Sequence, residues 1–358
     1  MIFHARRCLV LGFLVLGFAA CGDGLADVDD RIVDGVDLAV LFAAPTDAEI
    51  AAITADWAAR TPDAANVVVE LDTTLTVLAL ETRVRVVSHV VDGTVRHYGA
   101  VISPADLPSA APVIIYAHGG ASGVELDQVL LTVPALGDQA GEFVWVVPSF
   151  RSEPLSFGAR EWQSEGPASP WDRDVDDAIA LLDVAFEVEA QADSSRVGVL
   201  GFSRGGGVGL LLGIRDDRVD RVVEFFGPTD FFDPFVQGVV EEALDGSPPD
   251  LPGVDALYRD FLQPLRSGVI GVPTVRLELI RRSSALFADR LPAVQIHHGT
   301  ADVVVDVSQA QSLITALQAE GRTEPDVQSF LYDGGTHNPL ALIGALERTR
   351  EFLIALLE

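Results

Sequence analysis

A serine hydroxyl is a weak nucleophile until a neighbouring base takes its proton. Ser203 sits in the run Gly201-Phe202-Ser203-Arg204-Gly205, which fits G-x-S-x-G. The short β-type run 197–200 precedes it and the helix-like run 208–214 follows it. A strand–turn–helix of this kind holds the serine in a tight turn and pushes its hydroxyl out at the end of the strand, while the small glycines let strand and helix pack closely. Gly206, Gly207 and Gly209 extend that close contact and are assigned a packing role. His337 is the base that the order of elements favours. It follows the β-type run 327–332 through Asp333-Gly334-Gly335-Thr336 and precedes the last helical stretch. The acid that would orient it is Asp302, in His298-Gly299-Thr300-Ala301-Asp302, just after the apolar run 294–297. Asp306 and Asp333 compete for that role. Asp306 is expected to open the next helix, and Asp333 lies too close in sequence to the histidine. His89 and His97 fall on an early hairpin and read as structural, and His118 reads as a loop-shaping residue.

An attack on a carbonyl also needs N–H groups to hold the oxyanion. Tyr116-Ala117-His118-Gly119-Gly120 ends an early strand, and the backbones of Gly119 and Gly120 can approach a substrate there. The N–H of Arg204, directly after the serine, is the second expected donor. Phe225, Phe226, Phe231, Phe232 and Phe235 cluster near the end of the run 219–226. Side chains alternate faces along a strand, so at least one of Phe225 and Phe226 is expected in the core. Phe226, Phe231 and Phe232 are the expected pocket wall.

These residues need a sheet to place them. A helix is expected from Pro45 to about Arg60, then strands over 67–80, 83–91 and 94–102, with Asp92-Gly93 as a hairpin turn. From residue 113 onward, short apolar runs (113–117, 143–147, 197–200, 219–226, 294–297) alternate with helical stretches, as buried parallel strands do. Ser169-Pro170 opens a helix with Val175, Ile179, Leu182 and Phe186 on one face, and the last helix is expected over 339–357. Asp172, Asp174, Asp176 and Asp177 crowd the start of the former; acids there suit the helix dipole better than they suit a metal. Residues 228–290, with Pro248-Pro249, interrupt the alternation and read as a cap. The fold class is therefore α/β: a mostly parallel central sheet flanked by helices, with antiparallel strands before it and a small cap insertion.

Composition removes other chemistries. The chain carries 53 acidic residues against 24 basic ones, for a net charge of −29. Every basic residue is arginine, so a Schiff-base lysine, a Ser–Lys dyad and a phosphate-loop lysine are all excluded. A surface this acidic repels nucleic acid and anionic headgroups. The two cysteines, Cys8 and Cys21, both lie near the N-terminus, and no metal motif is present, so no metal or other cofactor is expected. Arg6 and Arg7, an apolar run to Ala20 and Phe18-Ala19-Ala20-Cys21-Gly22 resemble the signal peptide and lipobox of a bacterial lipoprotein. The expected division is a signal peptide over 1–20, then a lipidated Cys21 with an acidic tether and the N-terminal helix over 21–65, then one domain over 66–358. Such a protein would be exported and anchored in the cell envelope by lipid alone; plain secretion is the alternative.

The region from about residue 113 to the C-terminus resembles the α/β-hydrolase superfamily, in its prolyl-oligopeptidase-like and dienelactone-hydrolase-like branch. The matching stretches are His118-Gly119-Gly120, Gly201 to Gly207, His298 to Asp302 with Val305, and Gly334-Gly335-Thr336-His337. The resemblance implies a serine hydrolase with Ser203, Asp302 and His337 as its working residues. Too little chain precedes the sheet for the β-propeller of prolyl oligopeptidases, and Ser203 stands where dienelactone hydrolases usually carry cysteine. Substrate class therefore does not carry over. A carboxylic-ester hydrolase is the leading reading, a peptidase on short peptides the second, and a non-catalytic ligand-binding protein the third.

Overall fold

The computed structural model describes residues 31–107, 110–133 and 137–358. The elements that matter are the strands β1 (Ala65–Val77), β2 (Leu80–Val91), β3 (Val95–Pro104), β4 (Ala111–Ala117), β5 (Val144–Pro148), β6 (Ala192–Phe202), β7 (Val219–Phe225), β8 (Ala293–Gly299) and β9 (Val327–Tyr332). The helices are α1 (Asp47–Ala58), α2 (Leu126–Thr132), α3 (Arg173–Val188), α4 (Arg204–Arg215), α5 (Pro234–Leu244), α6 (Val272–Ile280), α7 (Ser308–Ala319) and α8 (Ala345–Leu353).

The nine strands form one sheet in the order β9-β8-β7-β6-β4-β5-β3-β2-β1. β1, β2 and β3 pair antiparallel, β3 joins β5 antiparallel, and the rest of the sheet is parallel. Both hairpin turns use consecutive residues of positive φ: Leu78 (43°) with Ala79 (74°), and Asp92 (54°) with Gly93 (73°). Turns of that hand match the twist of the flanking strands. Successive strand residues feed opposite faces. Val113, Ile115, Val199 and Val222 pack with α3, α4 and α7, whereas Ile114, Leu200 and Val223 pack with α2 and α8. Burial on both faces is why the parallel strands read as continuous apolar runs.

Several boundaries differ from expectation. The 169–188 helix begins only at Arg173, because Trp171 sits at φ 57°. The last helix is shorter than 339–357: Gly344 at φ 81° starts it, and separate 3₁₀ turns flank it over Pro339–Ala341 and Ile354–Leu357. From Arg31 the segment expected to be a tether is docked. Leu38 and Leu41 are fully buried, and Arg276 of α6 donates to the carbonyls of Val40, Leu41 and Ala43. A small sheet of Val124–Glu125, Pro154–Phe157 and Arg160–Gln163 was not anticipated. α1 starts as expected, with a capping box between Thr46 and Glu49. Among the described residues, no helix is long and apolar enough to cross a membrane. Cys8 and Cys21 lie outside the described residues.

Candidate active site

Ser203 is the single residue between β6 and α4, at φ 54° and ψ −122°. L-residues avoid this conformation, and it is held here by backbone bonds on both sides. The Ser203 N–H donates to Phe225 O at 2.8 Å, and the Gly206 N–H donates to Ser203 O at 2.8 Å. The turn closes only without side chains. A Cβ on Gly201 would stand 2.2 Å from Gly205 O, and one on Gly205 would stand 2.0 Å from Ala117 O.

His337 lies beyond β9, and Asp302 in the loop after β8. His337 Nδ1 donates to Asp302 Oδ2 at 2.7 Å. In a neutral ring that leaves Nε2 as an acceptor, 2.9 Å from Ser203 Oγ. The other carboxylate oxygen, Oδ1, accepts from the N–H groups of Val304 (2.9 Å) and Val305 (3.1 Å). Burial would raise the Asp302 carboxyl, but the bonds from His337 and the two amides outweigh it and hold the group below its ordinary range. Buried His298 donates to Val305 O at 2.9 Å and steadies the same turn. Phe226 covers the other side of His337, with ring centroids 4.2 Å apart. Asp306 instead accepts from Ser308 N at the start of α7.

The Gly119-Gly120 loop presses on the serine turn: a Cβ on Gly119 would stand 2.9 Å from Phe202 O and 3.1 Å from Ser203 Cβ. Among the described residues, the N–H groups of Gly119, Gly120 and Arg204 have no protein acceptor and are free to receive one from a ligand. The Arg204 side chain ties the pieces together. It is 2% exposed, its Nε donates to Asp174 at 2.8 Å, and its NH1 donates to Glu153 and, at 3.2 Å, to Gly120 O. Its guanidinium also lies over the Phe150 ring, which stacks on His118. Burial pushes the Asp174 carboxyl up to about 6 against the pull of Arg204. Burial also lowers His118 to about 4, so its ring is neutral at pH 7 and donates through Nδ1 to Gly119 O at 3.0 Å. The acids at the start of α3 thus serve arginines. Asp174 meets Arg204, Asp177 meets Arg151, and Asp172 and Asp176 meet Arg60, with Arg215 also on Asp176. Among the described residues no group of side chains is arranged to hold a metal.

A cavity of about 80 Å³ opens at Ser203. Its floor comes from the ends of β6, β7 and β8 (Ser203, Pro228, Val304 and Val305) and its walls from the 228–290 insertion. Binding at the C-terminal ends of parallel strands is the general habit of open α/β sheets. Of the three phenylalanines expected in the pocket wall, Phe231 lines this cavity. Phe226 is instead the buried cover of His337. Phe232 turns away to pack on Phe42, ring centroids 6.2 Å apart, and under Arg276. Phe225 is fully buried core, stacked between Phe202 and His297. Trp171, Val236, Val240, Leu257 and Phe261 also line the cavity, and sequence reasoning missed them. The helical spacing of 236 and 240 was the available signal. It also missed Glu153, whose sequence neighbours give no hint of Arg204.

No family model matches the chain, and no curated protein matches its sequence. Solved structures do match. The chain is similar to acetyl xylan esterase 1 from a Thermoanaerobacterium species, at 18% identity and TM-score 0.57, over 87% of this chain and 93% of that one. An acetyl xylan esterase from a Paenibacillus species matches at 16% identity and TM-score 0.56, over 87% and 98%. A puromycin-hydrolyzing peptidase of Mycobacterium tuberculosis matches at 18% identity and TM-score 0.50, over 77% of this chain but only 46% of the peptidase. At such identities the likeness is one of fold. The six parallel strands, the antiparallel strands before them and the helices on both faces are those of the α/β-hydrolase fold.

Proposed function

We propose that this chain is a serine hydrolase that cleaves neutral carboxylic esters through an acyl-enzyme. One observation carries the reading: an unbroken hydrogen-bond chain from Ser203 Oγ through His337 to Asp302, at 2.9 and 2.7 Å, with the serine in a positive-φ turn. In this mechanism Ser203 Oγ attacks the ester carbonyl while His337 Nε2 takes its proton. Asp302 fixes the ring so that Nε2 faces the serine, and it stabilises the imidazolium that forms. The N–H groups of Arg204 and of Gly119 or Gly120 receive the oxyanion. His337 then hands its proton to the leaving alkoxide, and the resulting acyl-serine is released by water through the same steps.

The cavity favours an ester over a peptide. Among the described residues Glu278 is the only acid in its lining, and Arg281 and Arg282 already hold it, so the described lining offers no free carboxylate to a peptide's amino terminus. The assay is a panel of nitrophenyl esters and aminoacyl-nitroanilides with the purified mature protein. Esters are expected to turn over faster than every anilide. The opposite ranking promotes the peptidase reading, and no turnover on either leaves a binding protein. We also propose export and lipid anchoring at Cys21. Cys21→Ser is expected to release the protein from the membrane fraction with unchanged turnover, whereas a wild type that is already fully soluble after export contradicts the anchor.

A further inference from the structure

We infer that the cavity beside Ser203 is an acyl-chain pocket that selects uncharged, apolar acyl groups of about four carbons. The inference rests on the ester-hydrolase reading above. The lining decides which half of the substrate enters. Ser203 and Arg204 both face the cavity, but His337, Gly119 and Gly120 do not line it. Around the reacting carbon, the oxyanion must point to the N–H groups of the glycine loop and Arg204, and the leaving oxygen must lie near His337 Nε2 to collect its proton. The remaining substituent, the acyl chain, is the one directed into the cavity.

The chemistry of the wall decides what kind of chain fits. Phe231, Val236, Val240, Leu257, Phe261 and Val275 are all apolar. The polar side chains deep in the lining are already paired. The Trp171 indole N–H donates to Arg204 O at 3.1 Å, the Arg204 guanidinium is held by Asp174, Glu153 and Gly120 O, and Glu278 is paired with Arg281 and Arg282. A hydroxylated or charged acyl group would be desolvated there without a partner. Size follows from volume. A dry apolar cavity of about 150 Å³ accommodates a six-carbon ring, so on the same scale a cavity of about 80 Å³ takes about three heavy atoms. With the carbonyl carbon held at Ser203, that corresponds to butyryl, and an acetyl group leaves most of the space unfilled.

The test is kcat/KM on p-nitrophenyl acetate, butyrate, hexanoate, octanoate, dodecanoate and palmitate. The expected profile rises up to about fourfold per methylene as far as butyrate and then falls. Val239→Phe and Leu257→Phe each push a ring into the cavity from half-buried positions. Each is expected to lower the butyrate-to-acetate ratio of kcat/KM at least about tenfold, and a ratio within one protein does not depend on how much of it folds. Methyl butyrate should also outrun butyl acetate. A wild-type profile that falls steadily from acetate or keeps rising beyond hexanoate, ratios unchanged in both variants, or butyl acetate as the better substrate each overturns the pocket while leaving the ester reading standing. No turnover on any ester overturns the ester reading itself.

Discussion

Replacing Asp302 with asparagine changes one atom, and the surrounding hydrogen bonds decide where the new amide nitrogen must point. In the wild type Oδ1 accepts from the N–H groups of Val304 and Val305, while Oδ2 accepts from His337 Nδ1. If the new NH₂ faced Val304 and Val305, two backbone donors would lose their acceptor, at about 1–3 kcal/mol each. If it faces His337, the ring avoids the clash of donors by moving its proton to Nε2, at little cost. The second arrangement wins. It leaves Nε2 carrying a proton, so it cannot accept one from Ser203. The expected result is a folded protein, melting within a few degrees of wild type, with kcat/KM on a short ester down about 10⁴-fold, equivalent to about 5.4 kcal/mol. Asp306→Asn, just before α7, should change turnover less than about threefold, because the asparagine Oδ1 can still accept from Ser308 N and the residue does not touch His337. Asp302→Asn retaining a tenth of wild-type kcat/KM, or Asp306→Asn proving the more damaging, would refute the assignment.

Two further predictions concern buried charge. Glu224 on β7 accepts from Gly227 N at 2.8 Å through one oxygen, its other oxygen has no partner, and burial pushes its carboxyl from 4.5 to about 8. A raised folded pKa means its contribution to stability is fully present below about pH 4.5 and is lost as pH climbs to about 8, by up to about 5 kcal/mol. Glu224→Gln does not titrate, so its melting temperature should exceed wild type by a margin that widens from pH 5 to pH 8; parallel curves contradict this. Arg204→Met strands Asp174 and Glu153 and should lower stability by about 3–5 kcal/mol at neutral pH. Because protonation neutralises stranded carboxylates, that deficit should shrink as the melts are taken toward pH 4, and a deficit independent of pH sinks the argument.

The central sheet was legible in the sequence because parallel strands buried on both faces need uninterrupted apolar runs, and 113–117, 197–200 and 294–297 are such runs. Ser203, Asp302 and His337 were legible as candidates because each sits in a short glycine-rich loop directly after a strand. The pocket was less so. Phe226 and Phe231 look alike in sequence. One covers His337 and the other faces the cavity because Phe226 takes φ 42° at the end of β7. The Arg204 cluster was invisible for another reason. Its partners, Glu153 in a loop and Asp174 at the start of α3, are distant in sequence, and only the fold brings them together. Residues 31–44 read as part of an acidic tether because what docks them, the core that receives Val36, Leu38 and Leu41 and the Arg276 side chain that satisfies their carbonyls, comes from far along the chain, with Arg276 more than two hundred residues away.

The central claim is that Ser203 forms the covalent intermediate, and active-site labelling tests it most directly. The purified protein is treated with a fluorophosphonate, digested, and its peptides are mapped by mass spectrometry while ester turnover is followed. The account predicts one adduct, on Ser203, appearing in step with loss of turnover, and neither labelling nor turnover in Ser203→Ala. A stoichiometric adduct on another residue, or substantial turnover in Ser203→Ala, would contradict it.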